Sequence, residues 1–188
     1  MAEYMESLRE ALTTFESLRA LEESVSQAAG WCVEALRNQG KLLICGNGGS
    51  ACEAQHLTGE LVGRYKEDRR ALAAVSLTAD GAVLTCIGND YRFGDAFSRQ
   101  VRALGRPGDI LVVFTTSGES GNVLEALRAA RELGLRSIAF LGRDGGRARD
   151  LSDCPLIVPH RGTARVQEAH QFLLHCLMDG IEAGIAKE

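Results

Sequence analysis

From Lys41 onward, short apolar runs alternate with stretches of helical periodicity, and few architectures accommodate that alternation. A strand reads as a continuous apolar run when both of its faces are covered, as in a parallel sheet between two helix layers. The runs are Leu42 to Cys45, Ala71 to Leu77, Ile110 to Phe114, Ser137 to Leu141 and Leu156 to Val158. Helical stretches fill the gaps: Ser50 to Tyr65, roughly Asp80 to Cys86, Asp95 to Leu104, Asn122 to Leu133, and a last one from Ala164 to about Ala183. Gly134 suits a helix C-cap, and Pro107-Gly108 a turn feeding the third strand. The expected fold class is therefore α/β, a single doubly wound five-stranded parallel sheet flanked by helices.

The first forty residues are helical by pattern. Leu8, Leu12, Phe15, Leu18 and Leu21 recur at spacings of three and four, and a second run extends from Val25 to Leu36. Such a stripe has to be covered, and we expect another subunit to cover it. At 188 residues, with 45% hydrophobic content and no linker or repeat, the chain is expected to form one domain over 1–188, with N-terminal helices over 1–40 and an α/β core over 41–188.

Charge excludes some functions. The 25 acidic and 21 basic residues are interspersed, which argues against non-specific nucleic-acid binding and leaves an anionic small molecule open as a ligand. Glu3, Glu6, Arg9 and Glu10 interrupt any signal-peptide core, and no run is long enough to span a bilayer, so no membrane association and a cytoplasmic location are expected. Six scattered cysteines, with no CxxC pair, read as reduced core residues, and only Cys52 and Cys176 fall near the motifs below.

Two loops follow strands. The first, Gly46-Asn47-Gly48-Gly49-Ser50, opens a helix; such glycines serve a tight turn, an anion at the helix N-terminus, or a relaxed dinucleotide fingerprint. The second, Thr115-Thr116-Ser117-Gly118-Glu119-Ser120-Gly121, has more hydroxyls than one N-cap requires and reads as a phosphate cradle. On the helix after the first loop, His56 and Glu60 stand one turn apart, a spacing that suits a shared metal, joint proton transfer or an ordinary surface pair. The last helix carries Gln167, Glu168, His170, His175 and Asp179, so three of four histidines lie on two helices flanking the same strand ends; His160 precedes the last helix. Gln167 and His175 are roughly 12 Å apart in rise, which requires a bend, long converging side chains or two subunits to join them. Asn89-Asp90 fits a turn and could also meet sugar hydroxyls, and Arg64 to Arg70 reads as a solvated connection.

Taken together, Cys45 to Ala51, Ala54-Gln55-His56 with Glu60, Ile87 to Asp90, Thr115 to Gly118 with Ser120, and Thr163 to Glu168 with His175 resemble the phosphoheptose isomerases of the sugar isomerase (SIS) fold over most of the chain. The resemblance implies one zinc per subunit on His56, Glu60, Gln167 and His175. It implies substrate contacts from Asn47, Gly48, Gly49, Ser50, Glu60, Asn89, Asp90, Thr115, Thr116, Ser117, Ser120 and Gln167, and an acid/base pair of Glu60 and His175. It also implies a homotetramer with sites near subunit contacts, acting on sedoheptulose 7-phosphate. Thr115-Thr116-Ser117 departs from the frequent Ser-Thr-Ser but keeps the hydroxyl. The competing reading is a regulatory protein of the DnaA-associating replication-initiator branch, which shares the fold and lacks the carboxylate that Glu60 supplies. A further one is another sugar-phosphate isomerase or sensor, which would not need the four zinc positions.

Overall fold

The structure, a computed structural model, describes residues 2–186. Strands β1 (Leu42–Gly46), β2 (Ala74–Ser76), β3 (Ile110–Thr115), β4 (Arg136–Gly142) and β5 (Cys154–Val158) form one all-parallel sheet in the order β2-β1-β3-β4-β5. The helices are α1 (Ala2–Ser17), α2 (Glu22–Arg37), α3 (Gly49–Val62), α4 (Gly81–Asp90), α5 (Ser98–Leu104), α6 (Gly121–Glu132), α7 (Gly146–Leu151) and α8 (Thr163–Ile185).

Successive side chains of a strand point to opposite faces, so each apolar run feeds two cores. Leu42, Ile44, Val112, Phe114, Ile138 and Phe140 pack under α2, α3 and α8, whereas Leu43, Cys45, Leu111, Val113, Ala139 and Leu141 pack under α5, α6 and α7. Every residue of β1 and β3 is buried, which is why no polar alternation shows in their sequence. Helix α6 ends where expected: Gly134 takes φ +72, and the Leu135 amide closes on the Ala130 carbonyl at 2.9 Å. No helix among the described residues is long and apolar enough to cross a membrane.

Several expectations need correction. The second strand is only three residues long: the Leu72 amide bonds the Leu61 carbonyl (3.0 Å) at the end of α3, and pairing with β1 begins only at Ala73, whose carbonyl accepts from the Leu42 amide at 3.0 Å. Asn89 and Asp90 form the last turn of α4, not a free turn; Asp80 caps that helix by accepting from the Val83 amide at 3.0 Å. Helix α7 leaves no periodic signal in the sequence, since only Ala148 of its six residues is buried. Of the cysteines, Cys32, Cys45 and Cys154 are buried and burial pushes the Cys32 thiol up to about 12, but Cys52 and Cys86 are exposed and Cys176 is half-buried; all six are free. Leu18 turns inward, while Tyr4, Met5, Leu8, Leu12 and Phe15 on α1 stay exposed within this chain.

The connection after α3 is largely exposed, as expected, but it carries one anchored residue. Arg69 is nearly buried: its Nε meets Glu182 Oε1 at 3.2 Å, and its guanidinium donates to the carbonyls of Glu60 (2.6 Å), Leu61 (2.9 Å) and Arg70 (3.1 Å). Glu182 Oε2 in turn accepts from the Lys66 and Glu67 amides. Removing one partner of such a pair strands the other charge, so Arg69→Ala should cost about 3–5 kcal/mol. Thermal unfolding at fixed protein concentration checks this; at roughly 2–4 °C per kcal/mol, an unchanged midpoint would refute it.

Candidate active site

The strand order reverses between β1 and β3, so the loops leaving their carboxyl ends diverge to opposite sides and open a crevice. Asn47 and Gly48 follow β1, with Gly48 at φ +59, before α3 begins. A reciprocal pair of amide hydrogen bonds, both 2.8 Å, ties Asn47 to Asn122 in the first turn of α6 and fixes the two loops to each other. After β3, the Gly118 amide donates to Thr115 Oγ1 at 3.3 Å, and the Thr115 and Ser120 hydroxyls lie 3.4 Å apart. Thr116, Ser117 and Ser120 keep partial exposure, so hydroxyls and amides of this turn are open to an anion. Gly118 is required here: its φ is +67, and a Cβ would overlap the Gly145 backbone.

The second half of the site comes from α3 and α8. Each buries an apolar face and carries its polar ligand-type residues at the edge of that face. His56 Nε2 bonds Glu60 Oε1 at 3.0 Å within α3, and His175 Nε2 of α8 lies 3.3 Å from His56 Nε2, the two rings meeting edge-on at 5.2 Å. The Tyr65 ring stacks on His175 at 5.7 Å and 17°. Donor atoms of His56, Glu60 and His175 all fall within 4.8 Å of one another. Ligand atoms about 2.0–2.2 Å from a tetrahedral zinc stand roughly 3.4 Å apart, so these separations and the nitrogen/oxygen donor set fit a divalent metal.

Not every expected residue joins this cluster. Gln167 lies two turns before His175, with its amide against Gly49, where a Cβ would collide with it. Gln171 holds the intermediate turn, its Nε2 3.2 Å from His175 Nε2 and 3.5 Å from both ring nitrogens of His56. Ser50 is buried in the first turn of α3, and Asn89 and Asp90 are exposed, Asn89 Nδ2 donating to Asp90 Oδ1 at 2.7 Å. His160 Nδ1 accepts from the Gly162 amide at 2.9 Å and lines a cleft of about 690 Å³ with Ser117, Arg143 and Arg161, beside the hydroxyl loop and apart from the histidine pair.

Two further residues meet in the interior, and only Glu53 is new to the candidate set. His170 is fully buried, its Nε2 3.1 Å from the Leu141 carbonyl, and its Nδ1 faces Glu53 Oε2 at 3.8 Å; that nitrogen and both Glu53 oxygens have no hydrogen-bond partner among the described residues. The signal was present: Ser50, Glu53, Ala54 and Leu57 fall at i, i+3, i+4 and i+7, which places Glu53 on the inward face of α3.

Comparison with known proteins adds to this geometry. Residues 3–142 match the SIS domain family. A phosphoheptose isomerase of Helicobacter pylori (strain P12) is 49% identical over 171 residues, covering 91% of this chain and 89% of its own. Among solved structures, phosphoheptose isomerase GmhA from Neisseria gonorrhoeae superposes with a TM-score of 0.92 at 45% identity, covering 97% of this chain and 98% of its own. A phosphoheptose isomerase from Francisella tularensis gives 0.88 at 39%, covering 97% and 95%.

Proposed function

The chain belongs to the SIS-domain family and, within it, to the phosphoheptose isomerases, and on that premise we propose that it converts sedoheptulose 7-phosphate to D-glycero-D-manno-heptose 7-phosphate. This aldose–ketose isomerisation would be the first step toward nucleotide-activated heptose. The observation that carries the reading is the meeting of His56 and Glu60 on α3 with His175 on α8.

Isomerisation needs a base, an acid and stabilisation of a developing oxyanion. In our reading the turn from Thr115 to Ser120 grips the phosphate through its amides and the Thr116, Ser117 and Ser120 hydroxyls. Asn47, Gly48, Gly49 and Ser50 border the sugar on one side, and Asn89 and Asp90 reach its hydroxyls. Glu60 removes a proton from C1 of the ketose; His175 carries the hydroxyl proton from O1 to O2; the carbon proton returns at C2 through the enediol, with no net gain or loss. His56, Glu60 and His175 would hold one zinc per subunit, with Gln167 joining if its amide turns from Gly49. When bound, such a metal supplies Lewis-acid polarisation of the substrate oxygens.

The exposed stripe of α1 supports assembly as a homotetramer, which light scattering would report as about four times the 20.2 kDa chain mass. We read the chain as one cytoplasmic domain, to be checked by cell fractionation and by a single unfolding transition. The decisive experiment is incubation with sedoheptulose 7-phosphate followed by product identification. Absence of turnover, combined with capture of the replication initiator, would move the chain to the regulatory branch of this fold.

A further inference from the structure

We infer that Arg147 is a positioning residue of the phosphate turn: by pinning the Glu119 carboxylate against the start of α7 and balancing its charge, it sets how tightly the turn between β3 and α6 holds a dianionic phosphate. The inference rests on the reading of that turn as the phosphate grip.

Glu119 is the only carboxylate in the run from Thr115 to Gly121, and its side chain has no part in the proposed grip. A phosphate monoester carries about two negative charges at pH 7, so a carboxylate in the same turn opposes binding wherever its charge is left unbalanced. Its backbone amide donates to Ser117 Oγ at 3.1 Å, which sets the residue directly beside a hydroxyl of the grip. Arg147 supplies the balance through two contacts: Nε donates to Glu119 Oε2 at 2.5 Å, and the backbone amide donates to Glu119 Oε1 at 2.8 Å. Hydrogen bonds from the Arg147 side chain and then from its amide hold the Glu119 carboxyl below the usual carboxylate range, against the opposing effect of the nearby Asp144 carboxylate. The group therefore stands as an anion with a cation laid against it.

The backbone leaves room for this contact. A Cβ at Gly146, whose φ is +50, would stand 2.8 Å from Glu119 Oε1, so a side chain there would push the carboxylate away. Beside the pair, the Ala148 amide donates to the Gly118 carbonyl at 3.0 Å and ties the turn to α7. Stability does not account for the arrangement: the Glu119 and Arg147 side chains remain 45% and 64% exposed, and an ion pair so open to water contributes little to folding. A dianion bound at the turn is sensitive to it all the same, because it feels the net charge of the pair whether or not the pair stabilises the fold.

The test is a charge series on full-length protein, read by the KM for sedoheptulose 7-phosphate and by the dissociation constant of inorganic phosphate from calorimetry. Arg147→Met keeps the aliphatic stem and leaves Glu119 unbalanced. It should raise both constants by roughly 3–10-fold, the scale of one unit charge acting on a dianion across water. Its kcat should not change, because the phosphate sits at the far end of the sugar from the reacting carbons. Glu119→Gln keeps an acceptor for the Arg147 amide and should lower both constants by a similar factor, while the double variant should return them to the wild-type values. The spread should narrow as ionic strength rises. Arg147→Gln supplies the same charge change should the methionine variant fail to fold. Three results overturn the role: a flat series, a double variant no better than Arg147→Met, which would mean that Arg147 touches the phosphate itself, or single variants that both weaken binding, which would mean that the pair acts through geometry and not charge. Wild-type protein that binds phosphate without turning over the heptose phosphate would instead refute the isomerase reading, and the phosphate constants would still decide the role of Arg147. Wild-type protein that binds no phosphate would overturn the grip and this inference together.

Discussion

Glu60→Gln is expected to lower turnover of sedoheptulose 7-phosphate by at least roughly 10²–10⁴-fold, the usual contribution of a positioned general base, while the protein stays folded. The structural part of that expectation follows from the amide being nearly isosteric with the carboxylate. Its oxygen still accepts from His56 Nε2, now 3.0 Å from Glu60 Oε1, and the side chain is only partly buried, so little packing is disturbed. The chemical part follows because an amide cannot take a proton from carbon. Loss of a negative donor would also weaken any divalent ion at the centre, so metal content has to be measured on the same sample. Full metal with collapsed turnover identifies Glu60 as the base, whereas lost metal with lost turnover identifies it mainly as a ligand. A variant that retains metal and turns substrate over at near the wild-type rate removes Glu60 from the mechanism.

The parts of this fold that were legible in the sequence are those set by local, repeated burial. β1, β3 and β4 announce themselves because Leu42 to Cys45, Ile110 to Phe114 and Ser137 to Leu141 are covered on both faces. β2 was overextended because the backbone amide of Leu72 finds its partner on α3, a tertiary event that the apolar run from Ala71 to Leu77 does not encode. His56 and Glu60 were legible through their one-turn spacing, and the topology placed α8 near them. Long-range polar pairing was not legible: Arg69 with Glu182 and Asn47 with Asn122 join residues far apart in the chain. Gln171 is the instructive case. A glutamine on the edge of a helix is ordinarily a solvated residue, and only the position of His56 on a different helix turns it into a neighbour of two imidazoles.

Stripping divalent metal with a chelator is expected to abolish turnover, and stoichiometric zinc to restore it, without unfolding the protein in between. Integrity without metal is expected because α3 and α8 are already joined through their apolar faces, where Ala54, Leu57 and Leu61 share a core with Ala169, Leu173 and Leu177. The donors are therefore held near one another by packing, unlike a zinc finger, whose fold depends on its ion. Zinc binding to the folded form alone should still raise the unfolding midpoint, by about 2.7 kcal/mol of stability at 100 times the dissociation constant. Replacing His56 and His175 together by alanine should remove both the rescue of activity and the thermal shift. Each readout covers a weakness of the other: rescue alone could reflect metal held by the substrate phosphate, whereas the thermal shift is measured with no substrate present. Protein free of metal by elemental analysis and fully active in chelator would eliminate the metal from the reaction, and Glu60 and His175 would then have to stabilise the enediolate without it.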